Sequence, residues 1–403
     1  MAQTQTRPAD TFSPLYFLAA LGMGGLVVTF FMFLMFWVPH PGRPVPIFED
    51  IAPLLTGGPA IQQGMIAVAL LGIAYFALQN LRMITWNLRA YAAFRNSGGY
   101  AKLRASNAET TLLALPLALA MTVNVLFIVG LVFVPGLWSI VEYLFPLAML
   151  AFAGIAWIAF ALIGDFLGRV LSKGGVFDVT ANNSFAQLLP AFAVSMIAVG
   201  FAAPAAMSTV PATVATSLVL STLLGVAAII YTVLAAASAV GSMLQHGTAR
   251  EAGPTLMIIV PIVTVLGIMF LRQNHGLHTT FDVHGSDGET MIFLARLLGI
   301  QVTFLGLGAV VLRAQGYFSD FVTGPKTSPG SYALVCPAVA LSVMLHFFIN
   351  KGLVASGAIA KFGLAYWSFS GLAIAAQLVA IALVIRLGRQ HFAPRTAVTV
   401  PAE

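Results

Sequence analysis

Charged side chains are scarce in this chain: 19 Lys and Arg with 13 Asp and Glu make up 8% of 403 residues, against roughly 25% in a soluble domain. So few cannot cover the surface of a 42.5 kDa globule, and a water-soluble fold is excluded. Cysteine occurs once, at Cys336. A disulfide framework is therefore ruled out, and so is a cysteine-ligated zinc or iron–sulfur centre within one chain. There is no GxxxxGK[ST] loop for a nucleotide phosphate and no HExxH pair for a hydrolytic metal, so transport driven by this chain's own ATP hydrolysis is excluded. No cofactor is implied, and no enzymatic activity.

What is present in excess is apolar: 59% of residues are hydrophobic. Stretches of about 20 such residues span a bilayer, and ten are found, at 14–38, 60–84, 110–134, 137–163, 185–208, 210–242, 254–272, 290–313, 330–350 and 364–387. The first is too long for the apolar region of a cleavable signal and reads as a true span. The gaps are short, so residues 14–388 form one membrane domain between tails 1–13 and 389–403. The net charge of +6 would suggest nucleic acid in a soluble protein; here it reports orientation. With span 1 starting inside, fourteen Lys and Arg, from Arg7 to Arg395, fall on that side. Arg43, Arg272, Lys351 and Lys361 fall on the other. The positive-inside rule then places both termini in the cytoplasm, as an even number of spans requires.

Prolines mark the odd spans. Pro116, Pro190, Pro261 and Pro337 lie in spans 3, 5, 7 and 9 at spacings of 74, 71 and 76 residues, a repeat of two spans. Proline lacks an N–H and kinks a helix, which a membrane protein tolerates beside a polar partner or a cavity. The odd spans are therefore expected to line something. Pro146 and Pro211 near the starts of even spans keep the pattern from being strict. Span 1 has Pro14 at its start and Gly22, Gly24 and Gly25 inside, where helices can approach closely.

Several sequence stretches carry a resemblance: "SPLYFLAALGMGGL" in span 1, "LLPAFAVSM" in span 5, "GPTLMIIVPIVTVLG" in span 7 and "SYALVCPAVAL" in span 9. Together with ten spans, they resemble the tellurite-resistance/dicarboxylate transporter family, which includes the slow anion channels of plant guard cells. The resemblance covers about 14–388 through loose motifs. It implies an all-α fold of five helical hairpins, with odd helices around a pseudo-fivefold pore and even ones outside. It also implies a homotrimer in the inner (cytoplasmic) membrane, with a pore for small anions in each protomer. The channels place a plugging phenylalanine just before the ninth-span proline; this chain has Cys336 there, without the accompanying tryptophans. That departure resembles the TsoY (seleno)protein branch, where selenocysteine can occur at a cysteine position.

Two readings of function stand. The first is a channel or transporter for chloride- or nitrate-like anions, or for sulfur oxyanions such as sulfite or thiosulfate. The second is a membrane-embedded thiol redox protein or sensor using Cys336. For the first, Cys336 and Pro337 mark the expected pore neck. Phe192, Tyr332 and Phe347 are candidate closures; Phe347, eleven residues past Cys336, shares its direction about 16 Å away. The odd-span interiors as bounded above contain no Asp, Glu, Lys or Arg. An anion would thus meet neutral groups: Asn124 in span 3, Asn183, Gln187 and Ser195 in span 5, and Thr264 in span 7. Such residues equally serve to join helices. Asn183 and Gln187, four apart, would share a helical face at the start of span 5, with Asp178 to Asn182 as the approach; capping by Asn182 or Asn183 is the competing reading.

Two polar gaps complete the picture. Between spans 2 and 3, Trp86, Tyr91, Phe94 and Tyr100 alternate with Arg89, Arg95 and Lys102, the pattern of a helix in the headgroup region. Between spans 7 and 8, His275, His278 and His284 accompany Asp282, Asp287 and Glu289. These are ligand types zinc accepts, but at a spacing that fits no established motif, so a polar loop is the competing reading.

Overall fold

The computed structural model describes residues 11–174 and 177–393; the expected tails lie largely outside them, Arg7 and Arg395 included. Ten helices are long and apolar enough to cross a membrane: Pro14–Trp37, Ala60–Phe94, Asn107–Phe133, Leu137–Lys173, Phe185–Met207, Pro211–His246, Gly253–Phe281, Asp287–Ala314, Pro329–Val354 and Leu364–Phe392, here spans 1 to 10. An isolated apolar stretch in lipid must bond its own backbone, and the helix does so within one segment. The described residues contain no strand.

Each odd span opens in a 3-10 turn before becoming α-helical: Pro14–Tyr16, Asn107–Leu113, Phe185–Leu188, Gly253–Met257 and Pro329–Leu334. The repeated prolines sit at this junction. Pro116, Pro190, Pro261 and Pro337 are the second or third residues of the α segments Ala114–Phe133, Leu189–Phe201, Ile259–Phe281 and Val335–Phe347. In a first turn the missing N–H has no partner to lose and the fixed φ suits the helix. The ring blocks continuation of the α pattern backwards, and the chain tightens instead into 3-10 geometry. The two-span repeat in the sequence is thus a repeat of one junction.

The odd spans pack in order, 1 on 3, 3 on 5, 5 on 7, 7 on 9, and 9 back on 1. Their opening turns follow the same closed order at one end, called here the near side. Span 1 fits against span 9 because Gly22 and Gly25 carry no Cβ: one built there would stand 2.8 Å from a methyl of Val335 and of Val339 respectively. Burial separates the two sets. Between 67% and 94% of the apolar stretch of each odd span is buried, against 17% to 33% of each even one. Exposed Leu71, Leu78, Trp157, Leu234 and Val310 show where the even spans present apolar surface to lipid.

Buried amides join outer helices to inner ones. Asn80 Nδ2 donates to the Ala20 carbonyl (2.7 Å) and Asn87 Nδ2 to that of Tyr16 (3.1 Å), tying span 2 to span 1. Gln301 of span 8 donates to Thr264 Oγ1 of span 7.

Three spans run nine or ten residues past expectation, span 4 among them, which ends at Lys173. Span 2 does not stop before the basic aromatic segment but continues to Phe94, followed by the short helix Gly98–Arg104. Trp86, Tyr91 and Phe94 pack around Phe12 with tilted rings, their centroids 5.4–6.4 Å away, so the aromatics hold the chain entering span 1. Span 7 runs nine residues past Arg272, to Phe281.

Candidate functional site

A cavity of about 590 Å³ lies among the odd spans, and all five contribute to its wall. Its deepest residues include Leu21 and Gly22 (span 1), Met121 (span 3), Phe192 (span 5), Pro261 (span 7) and Cys336 (span 9). No residue of the five near-side turns lines it. Towards the opposite, far side it reaches Pro44, Val45, His284 and Gly285 in the connecting segments.

Of the residues singled out in the sequence, the cavity brings together Cys336, Phe192, Phe347, Asn124 and Thr264, with Pro261. Cys336 is 8% exposed and Phe347 also 8%, the latter edge-on to Phe36 at 5.6 Å. Asn124 Nδ2 donates to the Ala120 carbonyl (3.1 Å), and Thr264 Oγ1 donates to that of Val260 (2.8 Å). The wall is otherwise apolar at this depth, with Ile128, Val265, Ile268 and Val339 among its residues.

The remaining candidates lie elsewhere. Tyr332 is buried on the near side against Tyr16 and His391, at centroid distances of 6.3 and 5.6 Å. Ser195 turns back to donate to the Phe192 carbonyl (2.9 Å). Gln187 donates to the Asn107 carbonyl (2.8 Å), joining the opening turns of spans 5 and 3. Asn183 shares no helical face with it, because the helical turn begins only at Phe185. The cap is Ser184, whose Oγ accepts from Ala186 N, while the Asn183 carbonyl accepts from Ala249 N (2.9 Å). Asp178, expected on an approach, instead exchanges hydrogen bonds with Asn107. Its carboxylate is held below the usual range by the hydroxyl and backbone N–H of Thr180.

The expectation of an uncharged wall fails at two places. Arg272 and Lys351 both line the cavity, Arg272 because span 7 remains helical past it and Lys351 because span 9 ends in the π-turn Phe348–Val354. Among the described residues neither cation has a carboxylate within ion-pairing distance. Among the described residues the only carboxylate on the wall is that of Asp287, the first residue of span 8, at the far-side end. His275 and His278 continue the wall outward from Arg272 at three-residue steps. His278 Nδ1 lies 3.0 Å from His284 Nδ1, and His284 Nε2 lies 2.9 Å from Asp282. Among the described residues no group of three or more His, Cys, Asp or Glu is placed to hold a metal ion.

Local structure explains why these cations are held. Span 5 breaks after Phe201 and resumes as Ala203–Met207. A helix end leaves carbonyls without intrahelical partners: the Ser217 hydroxyl donates to that of Phe201 (2.5 Å), and Arg272 Nη1 to that of Val199 (2.7 Å). Span 7 approaches this break so closely that a Cβ on Gly276 would stand 2.3 Å from the Ala205 oxygen. Near Lys351, Trp37 Nε1 donates to Tyr366 Oη (3.0 Å), which donates to Asn350 Oδ1 (3.1 Å). Asn350 Nδ2 then binds the His346 carbonyl (2.9 Å), fixing the turn that carries Lys351. Burial pushes the His40 imidazole below its usual value, opposed by the Val38 carbonyl and Asp50, with Lys351 and Arg43 adding to the depression.

The sequence did contain a signal for Arg272. Thr264, Ile268, Arg272 and His275 step by four, four and three residues, one continuing helical face. No family model matches this chain, and neither does any curated protein or solved structure.

Proposed function

We propose that the chain is a membrane channel or transporter for small anions, and that the cavity among the odd spans is its path. The observation that carries this reading is a deep, mostly apolar cavity bearing two basic side chains, Arg272 and Lys351, with no carboxylate partner among the described residues. Such cations are costly in a membrane, and they are characteristically found on ion and substrate pathways. Deeper in, Asn124, whose Nδ2 donates to the Ala120 carbonyl with a weaker contact to the Met196 sulfur (3.9 Å), is a neutral group of the kind that suits an ion that must enter and also leave. In this reading the ten spans are five hairpins with the odd ones around a pore. Phe192 and Cys336 form its neck, the near side is cytoplasmic, and the protein is a homotrimer in the inner membrane. That arrangement follows the resemblance to the tellurite-resistance/dicarboxylate transporter family.

The test is anion flux into liposomes holding the purified protein, comparing chloride, nitrate, sulfite and thiosulfate. Protein-dependent flux of at least one anion is expected, with no need of reductant. Absence of flux for all four overturns the reading. A flux that appears only with reductant favours the thiol alternative, which draws on Cys336 standing on the cavity wall.

A further inference from the structure

Arg272 does more than cap a broken helix. Of its five N–H groups, one serves the Val199 carbonyl, and no other hydrogen bond links the guanidinium to the described residues. The free donors include the Nε–Nη2 edge, whose two parallel N–H groups match a pair of oxygens on one anion. The group stands on the cavity wall between its two ends. Val199, its anchor, is seven residues beyond Phe192 on span 5, about 10 Å farther out along the helix. Outward from it lie Lys351, His275 and His278; the one acidic group on the wall among the described residues, Asp287, begins span 8 at the far-side end. Inward from it the wall is neutral.

We infer that Arg272, assisted by the charge of Lys351, is the binding site for a polyatomic oxyanion in the outer half of the cavity, favouring anions with two oxygens on one centre over halides. A spherical halide uses only the charge of the fork. A nitrate-, carboxylate- or sulfur-oxyanion-like group uses its charge and its shape. Lys351, a mobile point charge, draws anions inward without choosing among them. The inference rests on the reading of the cavity as an anion path only for its place in transport; binding itself is measurable without flux.

The experiment therefore has two arms, performed on the full chain at constant ionic strength. In detergent, thermal stabilisation by sodium nitrate, thiosulfate and chloride gives a half-saturating concentration for each. In liposomes, flux of the same anions is measured. Wild type should prefer both oxyanions to chloride. Arg272→Gln should raise the oxyanion half-saturation roughly tenfold, as expected for losing a charge-assisted pair of hydrogen bonds. Arg272→Lys keeps a cation and a donor for Val199, so it should fold. In it the preference for oxyanions over chloride should fall towards unity. Lys351→Gln should weaken all three anions alike. An Arg272→Lys protein with wild-type preference, or an Arg272→Gln protein with unchanged half-saturation, overturns the site. Oxyanion binding and flux that both ignore Arg272 would sink the inference and leave the proposed function standing. Oxyanion binding that depends on Arg272 without flux of any anion would do the reverse.

Discussion

The two ends of the odd-span bundle are built from the same five helices and place their charges differently. On the near side the opening turns meet one another, and four cations beside them, Arg104, Arg169, Arg250 and Lys326, are paired with carboxylates. Glu109, 4% exposed, lies between Arg104 and Arg169, with Arg104 Nε 3.0 Å from its carboxylate. Asp320 takes both Arg250 (2.6 Å) and Lys326 (2.7 Å). On the far side the helices part around a cavity; Arg43 beside its rim pairs with Asp50, but Arg272 and Lys351 face the cavity with no carboxylate partner among the described residues. Matched charges hold segments together, whereas unmatched ones leave a field for a mobile ion to answer. The difference separates a structural end from a receptive one.

The strongest way to break this comparison is at Glu109. Glu109→Ala should destabilise the protein by about 3 kcal/mol, the low end for breaking a buried pair, because Arg104 and Arg169 are 26% and 30% exposed and recover some water. Thermal unfolding in detergent checks it, and a stability change indistinguishable from zero would mean the near side is not held by matched charge. At the receptive end, Gly276→Ala pushes span 7 off the Ala205 carbonyl, at a cost of about 2 kcal/mol. Loss of oxyanion stabilisation should accompany it, since the Arg272 anchor sits on the same break; retention of both properties would show that the close approach is dispensable.

Between the two ends, Phe192→Ala widens the deepest part of the cavity. A roughly tenfold rise in anion flux is expected where an apolar ring obstructs passage; an unchanged rate in liposomes would take Phe192 out of the constriction. The smallest effect concerns Asp320, whose carboxylate is held below the usual range chiefly by the Lys326 ammonium, with Arg250 adding to it. A depressed carboxyl adds stability above its unfolded value and loses it as pH falls through the folded one. Unfolding followed from pH 7 downward should show a slight loss only below about pH 4, and Asp320→Asn should abolish that pH-dependent part.

Much of this architecture was legible before the structure was known. Ten spans follow from apolar runs, because lipid leaves a lone segment no other way to bond its backbone. The prolines of spans 3, 5, 7 and 9 recur at one junction, and the odd spans are the buried ones. The glycines of span 1 sit against Val335 and Val339. The site was only half legible. Cys336, Phe192, Phe347, Asn124 and Thr264 reach the cavity. Arg272 was read as the last residue of its span and Lys351 as lying just beyond its own, because hydropathy ends a segment at its first charge. A helix, however, ends where its hydrogen bonds do, and span 7 continues through "QNHGLHTTF" to Phe281. Gln187, Ser195 and Tyr332 were misplaced for a different reason: their spacing is compatible with a cavity face, but their polar atoms or rings are taken up by the neighbouring backbone and by aromatic packing. Nothing in a single sequence distinguishes a donor that serves its own fold from one left for a guest.

The circle of opening turns carries a consequence for synthesis. Its last joint lies between Pro329–Leu334 and Pro14–Tyr16, where Tyr332 meets Tyr16, so the two segments that complete it come from opposite ends of the chain. A nascent protein emerging in order can pair its early helices with their neighbours, but it holds a gap in the circle until the ninth span arrives. The first span must wait in the bilayer with its glycine face uncovered for almost the whole of translation. A ribosome that stalls before the ninth span would leave in the membrane a bundle whose floor is open at one place.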